Sequence, residues 1–269
     1  MRFKKISITK SPIELLLKAT QEHDAGTKSQ FKTNLELLYR FRVFKPFLDL
    51  CATLSKEGRL TFIVKLKKNY DLDAGNCRTV DAIGFDHLLN RFRQDKKYTI
   101  TLKEISGYVI IHEIGHLVEK EIAVDLAEFS QAIKLDFQNA HLPKALLFTI
   151  KRVLFDEVKN YPANQQLSEV FTRFFELLAR SKDIAGMAAS DGYYVKDFYQ
   201  SFPTTKALIE ERIFKKLSQA IDSGVAALSE SYILKEEDIT HKWSKGKVSS
   251  LHLEAEKPSW SSQHKSIHN

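Results

Sequence analysis

His112-Glu113-Ile114-Gly115-His116 brings two imidazoles and a carboxylate into five consecutive residues, the side-chain types that metal-assisted hydrolysis requires. On an α-helix, side chains four positions apart stack with Cβ atoms about 5–6 Å apart, so His112 and His116 can bind one metal ion at about 2.0–2.1 Å. Glu113 stands one position round the helix from His112. There it can accept a proton from water beside the metal without being a ligand itself. The spacing therefore predicts a zinc-dependent peptidase with His112 and His116 as ligands, Glu113 as general base and one coordination position left open.

Such a pair works only if the segment is helical. Thr101-x-x-Glu104 reads as a capping box that starts a helix, and Ile105, Val109, Ile110, Ile114 and Leu117 follow with a mostly helical rhythm. Gly115 costs about 1 kcal/mol relative to alanine inside a helix, which predicts that backbone or substrate approaches closely there. A third ligand must come from elsewhere, and no histidine follows His116 at short spacing, so glutamate is the expected type. Gln165–Leu178 reads as a helix with Ser168 as a cap and Val170, Phe174, Leu177 and Leu178 on its apolar face. Glu169 and Glu176 both lie on it, each with an arginine four residues on, and spacing alone does not separate them.

The rest of the chain must carry that helix. Residues 12–20 and 31–45 read as amphipathic helices, the second interrupted at Pro46, and further helices are expected over 86–93, 124–137 and 147–158. Arg59–Lys67 has strand composition. It is expected either as an edge strand that aligns an extended substrate or as an ordinary core strand. The fold class is α+β, predominantly helical, with a small sheet.

The chain has 269 residues, 43% of them hydrophobic, enough to bury a substantial core. Its net charge of +7 is uneven: residues 1–100 carry +9, residues 101–240 carry −5 and residues 241–269 carry +3. The organisation expected is a basic N-terminal region over 1–97, a catalytic region over 98–240 and a flexible basic tail over 241–269. Arg91–Lys97 is the densest basic patch, which could meet an acidic partner or simply form a solvated face. The N-terminal stretch lacks an uninterrupted apolar core and no later segment approaches 18 apolar residues, so neither a Sec signal peptide nor a membrane span is expected. The compartment expected is the cytoplasm, or an exterior reached by a route without such a signal. Cys51 and Cys77 read as reduced structural thiols, a disulfide between them being the alternative. His23, His87 and His141 lack spaced partners, and His241, His252, His264 and His268 fall in the tail.

From about residue 100 to about 215 the chain resembles the catalytic domain of anthrax lethal factor-type zinc peptidases. In that family H-E-x-G-H is followed by a tyrosine, a short polar loop and a glutamate opening an aromatic-rich helix, which here reads Tyr161-Pro162-Ala163-Asn164-Gln165-Gln166-Leu167-Ser168-Glu169-Val170-Phe171. The resemblance implies a zincin-like fold, Zn2+ held by His112, His116 and Glu169, Glu113 as base, and Tyr161 as a hydroxyl that stabilises the oxyanion. It implies a protein or peptide substrate. Glu176 then becomes the candidate for orienting an imidazole. Two departures stand out: the Tyr-to-Glu interval is one residue longer, and Arg173 occupies a position that is acidic in lethal factor.

Two other functions are compatible with parts of the chain. A silent binding protein could keep a zincin fold as scaffold, though it would have no use for Glu113. A nucleic-acid-associated protein could use the basic first hundred residues. The acidic Glu236-Glu237-Asp238 ahead of the tail would suit a translocated bacterial effector.

Overall fold

A computed structural model describes residues 11–21, 24–65, 75–86, 91–180 and 195–224. The chain divides into a unit of Met1–Leu228 and one of Ser229–Asn269. The second, with the expected tail over 241–269, lies outside the described residues, as do His23, His87 and Glu236–Asp238.

The first unit opens with α1 (Pro12–Lys18), where Ser11 and Glu14 cap reciprocally and Pro12 supplies a preset φ. The two-residue strand β1 (Thr20–Gln21) leads to α2 (Ala25–Tyr39), capped by the Asp24 carboxylate on the Thr27 amide at 2.9 Å. Helix α3 (Lys45–Lys56) begins one residue before Pro46. Proline has no N–H to lose in a first turn, so Pro46 opens a helix where an interruption was expected.

Strands β2 (Leu60–Val64), β3 (Gly75–Asp86) and β4 (Arg91–Leu102) complete a four-stranded sheet of order β1-β2-β4-β3. The β1–β2 and β2–β4 pairs are parallel, and β3–β4 is antiparallel. Leu60, Phe62 and Val64 alternate into the core beside Tyr98, Ile100 and Leu102. Flanked on both sides, β2 is an interior strand, and the edges among the described residues are β1 and β3. The described ends of the helix expected over 86–93 are strand instead, Asp86 in β3 and Arg91–Arg93 in β4, where cross-strand pairing outweighs the local apolar rhythm; positions 87–90 lie outside the described residues. The basic Arg91–Lys97 stretch is accordingly part of β4, which runs unbroken through positions 97 and 98.

Thr101 is likewise a strand residue, paired with Asn76 and Ile63, so the expected capping box does not form. Helix α4 (Gly107–Glu121) starts after Ser106, and Glu104 instead accepts a hydrogen bond from the Tyr108 hydroxyl at 2.6 Å. Next come α5 (Leu126–Asn139), α6 (Lys144–Lys151), a π-turn over Arg152–Asp156, a 3₁₀ turn over Glu157–Asn160 and α7 (Ala163–Ala179). Two short helices, α8 (Val195–Gln200) and α9 (Pro203–Leu208), follow. The described part is thus α+β and mostly helical. Among the described residues no helix is long and apolar enough to cross a membrane.

The core is continuous from α1 to the residues after α9. Helix α4 is buried on nearly every side, and α7 lies directly against it. A Cβ on Gly115 would come within 3.0 Å of Thr172 Cγ2 and 3.4 Å of its Cα, so the glycine permits the close approach of α7. Aromatic rings hold α7 from the other side: Phe129 meets Phe171 at 4.9 Å between centroids, and Phe47 meets Phe175 at 4.7 Å. Such pairs add about 0.5–1.5 kcal/mol each beyond the area they bury, and they fix the rotation of α7 about its axis.

Candidate metal centre

That rotation decides which side chains α7 presents to the histidines of α4. Position 169 meets both: His116 Nε2 lies 3.3 Å from Glu169 Oε1, and His112 Nε2 lies 3.6 Å from Glu169 Oε2. The three ligand atoms lie within 4.8 Å of one another, a group that could hold a metal ion. Tetrahedral ligands at about 2.0–2.1 Å from zinc stand about 3.3 Å apart, so the two close distances suit a common ion. Glu169 is buried and its Oε2 accepts no hydrogen bond from the described residues, an electron-rich position that a cation would satisfy.

Each imidazole is held by its other nitrogen. His112 Nδ1 donates to Glu176 Oε2 at 3.0 Å, and Arg180 in turn donates to Glu176 Oε1. Burial alone would raise the Glu176 carboxyl, but the hydrogen bond from His112, with its charge and that of Arg180, lowers it to about 2. An ionised Glu176 only accepts, so Nδ1 of His112 must carry the proton and Nε2 is turned toward Glu169.

His116 reaches a carboxylate through a hydroxyl. Its Nδ1 lies 2.9 Å from Ser168 Oγ, and that hydroxyl donates to both oxygens of Glu119 at 2.6 and 2.7 Å. With its one proton committed to Glu119, Ser168 must accept from His116, which fixes the same tautomer. Ser168 is therefore not the expected helix cap, since α7 starts six residues earlier after Pro162. Burial disfavours a charged His116, yet the nearby carboxylates of Glu119 and Glu169 outweigh it and raise the metal-free imidazole to about 9.

A cavity of about 910 Å³ opens over this cluster and is lined by Glu113, Tyr161, Arg173 and the Gly75–Cys77 end of β3. Glu113 is 4% exposed and packs against β3, where a Cβ on Gly75 would stand 2.7 Å from its Oε1. Glycine there leaves the carboxylate room where it stands; a side chain at position 75 would make Glu113 shift. The Tyr161 hydroxyl accepts from Arg173 Nη2 at 3.2 Å. Cys51 and Cys77 are free thiols; burial pushes both up, Cys77 to about 12, so neither is a thiolate at neutral pH. His141 lies in an exposed loop outside the cluster.

His112, Glu113, His116, Glu169 and Tyr161, all singled out by sequence, thus surround one cavity. The Ser168–Glu119 link, the contacts of Arg173 with Glu157 and Tyr161, and the β3 wall carry no local sequence signal. Comparison with protein-family models, curated proteins and solved structures finds no match.

Proposed function

We propose that the chain is a zinc-dependent endopeptidase of the zincin type, with His112, His116 and Glu169 as ligands and a protein or peptide as substrate. The observation that carries this reading is the orientation of the two imidazoles: both are anchored at Nδ1, so both aim Nε2 at one buried carboxylate. Zinc held there would supply a Lewis acid that polarises a peptide carbonyl and lets water lose a proton near neutral pH. Glu113, on the same helix and facing the same cavity, accepts that proton and returns it to the leaving amine. Tyr161 donates a hydrogen bond to the oxyanion as the carbonyl becomes tetrahedral. The edge of β3 alongside Glu113 offers backbone groups to an extended peptide.

Zinc titration of the purified protein tests the ligand set. One equivalent per chain is expected; absence of tight binding would sink the proposal. Ser168→Ala should lower zinc affinity about 10–100-fold, because His116 loses the acceptor that orients it. Glu176→Gln should do the same through His112. If Glu176→Gln abolished binding while Glu169→Gln left it intact, the ligand would be Glu176.

Zinc uptake should also release a proton. With its folded value at about 9, metal-free His116 is protonated at pH 7.5, whereas a ligating imidazole is neutral. Zinc affinity should therefore rise ~tenfold per pH unit towards that value. Calorimetry in buffers of different ionisation enthalpy would count about one proton at pH 7.5. A count of zero would contradict the charged state assigned to His116.

A further inference from the structure

We propose that Arg173 is a positioning residue for Tyr161, directing the phenol's proton toward the carbonyl under attack; this rests on the peptidase reading. Arg173 follows Glu169 by one helical turn and its side chain is 14% exposed. Its guanidinium meets three partners at once. Nη1 donates to Glu157 Oε2 at 2.8 Å, Nη2 donates to the Tyr161 hydroxyl at 3.2 Å, and Nε lies 3.7 Å from Glu169 Oε2. Because the guanidinium is planar and rigid, the bond to Glu157 fixes where Nη2 points.

Tyr161 is anchored independently at its backbone. Its N–H donates to Val158 at 3.1 Å, and its carbonyl accepts from Gln166 Nε2 at 3.0 Å. The hydroxyl is thus the part of the residue left to Arg173. A phenol has one proton and two acceptor positions, and arginine can only donate. Arg173 therefore occupies a lone pair, and the phenol's proton must point away from it. A hydrogen bond from a cation also polarises the O–H, making it a better donor to a developing negative charge. The same guanidinium sits beside Glu169, so the donor is tied to the residue that would hold the metal. An acidic side chain at position 173 could not do this, since a carboxylate would take the phenol's proton itself.

Two measurements test the assignment. In metal-free, full-length protein labelled with 15N-arginine, the Arg173 Nη signals should show slowed rotation that Tyr161→Phe relieves. Signals unaffected by Tyr161→Phe would overturn the pairing. In the second, a peptide cut by zinc-loaded wild type is selected from a synthetic library and turnover is compared across variants. Tyr161→Phe should lower kcat by ~10²-fold, with KM and zinc affinity nearly unchanged. Arg173→Met should lower kcat by ~10-fold, Arg173→Lys should recover part of that loss, and the double variant should be no worse than Tyr161→Phe alone. Losses that multiply in the double variant, or that fall on zinc affinity rather than kcat, would overturn the proposal. A zinc-loaded wild type that cuts no peptide would instead remove the peptidase reading and the catalytic role with it, while the Nη signals report the Arg173–Tyr161 bond separately.

Discussion

The His112→Ala/His116→Ala double variant should lose zinc binding altogether at concentrations where the wild type is saturated. Removing one outer hydrogen bond from a ligand costs about 10–100-fold in affinity, and removing two of three ligands costs far more. Glu169 alone would remain, a buried carboxylate with Arg173 nearby. The fold should survive, because both imidazoles line the cavity and the surrounding core is built from Ile110, Ile111, Ile114, Leu117 and Val118. Metal content by mass spectrometry, with circular dichroism as a check on folding, measures both. Unchanged zinc stoichiometry in a folded double variant would remove the site.

Glu113→Gln should separate metal binding from chemistry. The amide keeps the volume and fits the same space beside Gly75, but it cannot accept a proton from water. Zinc affinity should stay close to wild type, while cleavage falls by about 10²–10⁴-fold, the usual cost of losing a general base. Steady-state kinetics at matched zinc content would read the difference. Equal turnover in both proteins would mean that another group accepts the proton. Parallel loss of zinc would mean that Glu113 serves the metal or the fold instead.

The half of the candidate site on α4 was legible because it is local: a helix brings positions 112, 113 and 116 together without help from the rest of the chain. Glu169 is different, since its approach to the imidazoles depends on how α7 is rotated against α4, and spacing left it level with Glu176. The resemblance to lethal factor-type peptidases pointed to Glu169 where spacing did not; the structure brings the Glu169 oxygens to 3.3 and 3.6 Å from the two Nε2 atoms, and the ligand role itself is part of the proposal. The Ser168–Glu119 link was not legible, because those residues are 49 positions apart and meet only where Gly115 lets α7 close on α4.

The sheet shows the same limit. Leu60–Val64 was readable as a strand from its composition, but whether a strand is interior or edge depends on partners elsewhere in the chain, here β1 and β4. The residues around Asp86–Arg93 looked helical in isolation, and at Asp86 and Arg91–Arg93 pairing between β3 and β4 overrode that preference. Thr101 and Glu104 had the spacing of a cap but lie where β4 ends. In each case local periodicity lost to a long-range contact.

Mapping of newly formed protein N-termini by mass spectrometry tests the central claim most directly. A denatured and a native proteome would each be incubated with zinc-loaded wild type and with zinc-loaded Glu113→Gln. The account predicts a set of new N-termini that depends on the wild type, shares a local sequence preference and is missing with Glu113→Gln. A protein that binds one zinc per chain through His112, His116 and Glu169, yet yields the same N-termini as the variant, would contradict it.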